Sequence, residues 1–210
     1  MSKIALIIVD LQNDFCKGGS LAVPFGEALV PLANQLMPYF AHVVATQDWH
    51  PADHASFAAN HPKARIGDMI MLDGVLQMLW PTHCVQKSRG AQFYPGFDVA
   101  RVDQIIQKGT NPAIDSYSAF FDNAHKQTTG LHDYLQALGI TQLYIMGIAT
   151  DYCVKFSVLD ALALGYTTYV IEDACRGVDL KAGDSEKALQ EMAKVGAKRV
   201  QVRDVLAAMG

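Results

Sequence analysis

Leu143-Tyr144-Ile145-Met146-Gly147-Ile148-Ala149-Thr150-Asp151-Tyr152-Cys153, followed by the helical pattern at 154–164, is the stretch whose reading decides the fold class. A run of apolar residues without polar alternation belongs to a strand buried on both faces, and the change to helical spacing after Cys153 marks a turn and a helix start. A helix start offers unpaired N–H groups and the positive end of the peptide dipole. A thiol placed there is expected to lean toward thiolate, and adjacent N–H donors suit an oxyanion. A cysteine after a strand is more often one small buried hydrophobe. The residues that accompany Cys153 decide between the two.

Similar apolar runs recur at 3–9, 42–46, 102–107, 142–146, 167–171 and 199–202, separated by helical patterns at 27–40, 131–138, 154–164 and 185–195. Asp184 is placed to cap the last helix and Gly196 to end it. The alternation predicts an open α/β fold: a six-stranded, mainly parallel sheet with helices on both faces in a Rossmann-like, three-layer arrangement. At 210 residues, half of them apolar, the chain suits one domain spanning 1–210.

Against 21 acidic side chains stand 17 basic ones with no basic patch, which argues against nucleic acid as a partner. The opening Met1-Ser2-Lys3 enters a strand-like run without a signal-peptide pattern, and no run reaches transmembrane length, so a cytoplasmic protein off the membrane is expected. Cys16, Cys84, Cys153 and Cys175 are spaced like reduced thiols rather than a disulfide frame. The composition fits a monomer or a homo-oligomer equally.

Residues 47–100 break the alternation: no clean strand or long helix, but many His, Trp, Asp and Pro residues. A loop this long after the second strand is usually functional. Pro51 is placed to open a short helix over 52–59. Asp48 and His50 flank Trp49, so in an extended segment their side chains point the same way, about 7 Å apart at the backbone. His83, in Trp80-Pro81-Thr82-His83-Cys84-Val85, is the best third partner for a metal ion. Two imidazoles and a carboxylate suit Zn, Fe(II) or Mn(II), with positions left for water or substrate. Polar loop residues without a metal are the competing reading. His54 is a fourth ligand or a pocket wall, the wall being favoured. His61 lies beyond the short helix, and His42, His125 and His132 read as solvated or structural.

Asp10 ends one apolar run and Lys108 another, places where a carboxylate and an ammonium are expensive unless they meet something of opposite charge. The ligand crevice of an open α/β sheet lies beyond such strand ends. With Cys153, the two supply a proton-transfer carboxylate, a cation and a nucleophile from three different strands.

The segments Ile8-Val9-Asp10-Leu11-Gln12-Asn13-Asp14-Phe15, Thr46-Gln47-Asp48-Trp49-His50-Pro51, Trp80-Pro81-Thr82-His83-Cys84-Val85, Gln107-Lys108-Gly109 and Gly147-Ile148-Ala149-Thr150-Asp151-Tyr152-Cys153 resemble, in order, those of nicotinamidases within the isochorismatase-like cysteine hydrolases. The resemblance implies a catalytic triad of Asp10, Lys108 and Cys153, and one divalent metal on Asp48, His50 and His83 with no organic cofactor. It implies an oxyanion hole from the N–H groups of Ala149 and Cys153, with a non-proline cis bond between Ile148 and Ala149. Phe15, Leu21, Trp80, Tyr117 and Ala149 are the implied substrate contacts. The implied reaction is hydrolysis of the nicotinamide carboxamide to nicotinate and ammonia, a step of NAD salvage, through a cysteine thioester, with pyrazinamide as a further substrate. Three alternatives stay open: a sibling cysteine amidase for a carbamoyl or ureido substrate, an Fe(II) oxygenase, and a non-catalytic metal- or ligand-binding module.

Overall fold

In the computed structural model, which describes residues 3–72 and 74–209, six strands form one parallel sheet in the order β5-β2-β1-β6-β7-β8. They are β1 (Ile4–Val9), β2 (Val43–Asp48), β5 (Gln104–Lys108), β6 (Gln142–Ile148), β7 (Thr167–Arg176) and β8 (Lys198–Val200). The helices are α1 (Leu29–Leu36), α2 (Leu131–Ala137), α3 (Lys155–Ala163), α4 (Asp184–Lys194) and α5 (Val202–Met209). Met1, Ser2, Asp73 and Gly210, which the expected 1–210 span includes, lie outside the described residues.

β1 shows why the layers form. Its side chains alternate faces. Leu6 and Ile8 pack with Leu29, Ala33 and Leu36 of α1 and Val202 and Val205 of α5, while Ala5, Ile7 and Val9 pack with Leu131 of α2, Val158 of α3 and Leu189 of α4. Both faces are therefore dry, which is what the unbroken apolar run predicts. The four cysteines are buried and free. No helix among the described residues is long and apolar enough to cross a membrane.

Several boundaries differ from the sequence reading. The last expected strand stops at Val200, and Val202 opens α5, which the short chain end concealed. Gly183, not Asp184, precedes α4; Asp179 instead holds the helix start by accepting the Ser185 N–H (2.8 Å) and hydroxyl (2.7 Å). Residues 52–59 form no α-helix, only turns and a single tight turn at Ala58–Asn60. The span expected to lack strands contains an antiparallel hairpin, β3 (Met69–Leu72) with β4 (Val75–Met78). Its outer face carries Met69, Met71 and Leu76, all exposed, so the alternation that would have revealed it is missing.

Candidate active site

The crevice forms where β1, β2, β5 and β6 end. Register alone brings Asp48 opposite Lys108, the last pair of the β2–β5 ladder. Asp10 follows β1 in a left-handed conformation (φ 51°), which turns its side chain back over the sheet. Thr46 fixes it there, accepting the Asp10 N–H at 3.2 Å and donating its hydroxyl to Oδ1 at 2.5 Å. Gln12, fully buried, clasps the end of β2: it donates to the Asp48 carbonyl and accepts the Asp48 N–H, both at 2.8 Å.

Lys108, buried, joins the groups. Its Nζ lies 2.9 Å from Asp10 Oδ2 and 3.4 Å from Cys153 Sγ, donates to the Ser116 carbonyl at 3.1 Å, and is paired with Asp48 Oδ1. Asp10, Asp48 and Cys153 come within 4.8 Å of one another through their side-chain atoms. The three side chains singled out at strand ends thus converge.

Cys153 does not stand at a simple helix start. It lies inside a wide turn, Thr150–Val154, that leads into α3, with the Ala149 carbonyl accepting the N–H groups of Tyr152 (3.1 Å) and Val154 (3.0 Å). The Ile148–Ala149 peptide is cis, as the resemblance implies. The expected lean toward thiolate is overturned. Burial pushes the thiol well above its ordinary value and the Asp10 and Asp48 charges add to this, against the opposing pull of Lys108. Burial therefore favours the protonated thiol, with Asp10 as its neighbouring carboxyl.

Burial, with the Asp48 charge adding to it and Lys108 opposing, raises the Asp10 carboxyl to about 6. Asp48 behaves oppositely: burial pushes it up, but Lys108 and then His50 outweigh this and hold it well below the usual carboxylate range. Lys108 keeps its proton despite burial because Asp10 and Asp48 flank it. One cation thus leaves one carboxyl ready to exchange a proton and the other fixed as an anion.

Asp48, His50 and His83 form the second group. The Nε2 atoms of His50 and His83 lie 3.5 and 3.7 Å from Asp48 Oδ2. His50 Nδ1 faces the Gly109 carbonyl at 2.9 Å and His83 Nδ1 the Pro81 carbonyl at 2.8 Å. Each Nδ1 must carry the proton to make that bond, so both Nε2 lone pairs are free, and His50 Nε2 is buried without a hydrogen-bond partner. Two such lone pairs and an ionised carboxylate fit a divalent cation.

His54 is not the favoured pocket wall: it packs behind His50 with ring centroids 4.4 Å apart, its Nδ1 2.7 Å from the Ser56 hydroxyl and its Nε2 buried without a hydrogen-bond partner. Burial holds it neutral, with its pKa lowered to about 4. It does not line the crevice cavity. His61 faces the Ala55 carbonyl at 2.6 Å, away from the trio.

A narrow cavity adjoins Cys153, lined by Phe15, Leu21, Trp80, Tyr117 and Ala149, the five expected contacts, beside Asp48 and His83. Asp115, Tyr152 and Val178 complete it and were not anticipated. Tyr152 was open to inference as the neighbour of Cys153. Val178 arrives through space, because Asp151 accepts the N–H groups of Val178 (2.9 Å) and Asp179 (2.8 Å) and draws that loop over the turn that carries Cys153. Tyr117 is held by the Trp80 indole N–H and the Gln77 amide, each donating to its hydroxyl at 2.9 Å.

Known proteins resemble the chain in sequence and in fold. The nicotinamidase of Escherichia coli (strain K12) is 50% identical over 204 residues, 95% of each chain. A solved nicotinamidase/pyrazinamidase of Acinetobacter baumanii superposes with a TM-score of 0.94 at 47% identity, covering 98% of this chain and 99% of that one. The pyrazinamidase of Pyrococcus horikoshii, solved in complex with zinc, gives 0.76 at 38% identity, covering 95% and 99%. With the profile of the Isochorismatase domain matching residues 4–204, and the strand-end carboxylate, lysine and cysteine meeting in one crevice, the chain belongs to the isochorismatase family.

Proposed function

We propose that the protein is a nicotinamidase, an amidohydrolase that converts nicotinamide to nicotinate and ammonia. The observation that carries this is the convergence on Lys108 Nζ of Asp10 at 2.9 Å and Cys153 at 3.4 Å, beside a small aromatic-walled cavity. The cavity suits a flat ring presenting its carboxamide to the thiol.

Asp10 accepts the thiol proton as Cys153 Sγ attacks the amide carbon, and Lys108 stabilises the negative charge that passes between them. The N–H groups of Ala149 and Cys153 hold the tetrahedral oxyanion. Asp10 gives its proton to the departing ammonia, leaving a thioester, and then activates the water that releases nicotinate and restores the thiol. Asp48, His50 and His83 would hold a divalent ion of the zinc, iron(II) or manganese(II) class, which would supply a Lewis-acid anchor for the ring nitrogen. Phe15, Leu21, Trp80 and Tyr117 wall the ring and keep water away.

Metal-loaded protein mixed with nicotinamide is expected to release ammonia and nicotinate in equal amounts, and to cleave pyrazinamide. Failure on nicotinamide together with turnover of an N-carbamoyl or ureido compound would assign the chain to a sibling amidase. Iron-dependent oxygen consumption without ammonia would sink the amidase reading altogether.

A further inference from the structure

We infer that Asp115, which touches none of the proposed metal ligands through a hydrogen bond, is the outer counter-charge that tunes the metal centre for a divalent ion. The inference rests on the metal reading of Asp48, His50 and His83. Asp115 is 2% exposed. Its Oδ1 accepts the Ser116 N–H at 2.7 Å and its Oδ2 the Gln77 amide at 3.3 Å, both neutral donors. Neither donor carries a charge, a costly arrangement for a buried carboxylate unless positive charge lies near it.

What lies near it is the back of the metal group. A carboxylate oxygen of Asp115 and one ring nitrogen each of His50 and His54 lie within 4.8 Å of one another. Gly109 makes that approach possible: a Cβ there would stand 2.4 Å from His50 Cε1 and 3.5 Å from Asp115 Oδ1. His54, kept neutral by burial, packs beside them without adding charge. Lys108 is already paired with both Asp10 and Asp48, whereas Asp115 stands behind His50 and His54 as a further buried carboxylate. With no hydrogen bond to a ligand, Asp115 acts on the metal group through space, and a buried, low-dielectric setting strengthens that action.

The test is zinc affinity of metal-stripped protein, read by competition with a chelating dye, for wild type, Asp115→Asn and His83→Ala. Asp115→Asn is expected to bind zinc about 10- to 100-fold more weakly, while its metal-free form melts no lower than wild type, because a buried like charge has been removed. Asp115→Ser, which drops the same charge and relieves any crowding, must give the same loss. Unchanged zinc affinity overturns the inference. A weaker affinity matched by a lower melting temperature of the metal-free form also overturns it, by marking a packing role, and so does a raised KM with zinc affinity intact, by marking a substrate contact. Wild type that binds zinc no better than His83→Ala is a different failure, that of the metal reading itself.

Discussion

Two charged groups meet at Asp48, and they are built by different means. Asp10, Lys108 and Cys153 stand at the ends of β1, β5 and β6, in one parallel ladder with a dry layer on each face. His50 and His83 come from the segment between β2 and β5, held by single bridges such as His50 to Val85 and Phe57 to Trp80. Its small core is the fully buried Phe57, whose ring stands 5.5, 5.6 and 5.4 Å from those of His50, His54 and His83. The half proposed to hold the nucleophile inherits its geometry from the sheet, whereas the half proposed to hold the metal depends on loop packing around one phenylalanine. Chemistry and ring anchoring are therefore separable by mutation.

The largest expected effect isolates the first half. Cys153→Ala removes the nucleophile and should lower turnover by roughly 10⁴-fold or more, with metal content near wild type. Parallel measurements of ammonia release and bound metal check this, and equal loss of both would make Cys153 a structural residue.

Gly109→Ala strikes the second half. Gly109 has φ +63°, and the added methyl would fall 2.4 Å from His50 Cε1 and 2.6 Å from Nδ1. The left-handed backbone costs about 1–2 kcal/mol for a residue with a Cβ, and the overpacking about 1–3 kcal/mol more. His50 must move, so bound metal should be lost at temperatures where the sheet's circular dichroism is intact. A variant that keeps its metal would show that the loop yields more easily than this packing implies.

The smallest effect separates the halves by pH. Asp10 must be ionised to take the thiol proton, and burial sets its carboxyl near 6. Above that value the base is available; below it the carboxyl keeps its proton. On metal-saturated enzyme kcat/KM should fall tenfold per pH unit on the acid side. A profile flat between pH 5 and 8 would remove Asp10 from the proton path.

Much of this was legible in the chain. Continuous apolar runs gave the parallel sheet, and a carboxylate, a lysine and a cysteine each placed after such a run pointed to the crevice, as did the pair flanking Trp49. The β3–β4 hairpin escaped because Met69, Met71 and Leu76 put apolar side chains on a solvent face. Asp115 escaped because nothing in Asn111-Pro112-Ala113-Ile114-Asp115 distinguishes a solvated loop carboxylate from one buried against His50.

By itself the sequence determined the layering of the sheet and which reactive groups end its strands, since both follow from periodicity between near neighbours. Only the tertiary structure decided that burial pushes the Cys153 thiol up, that His54 packs behind His50 instead of lining the cavity, and that a third carboxylate backs the histidines. Proton affinity and ligand geometry depend on desolvation and on distances across the fold, and those are set by residues far apart in the chain.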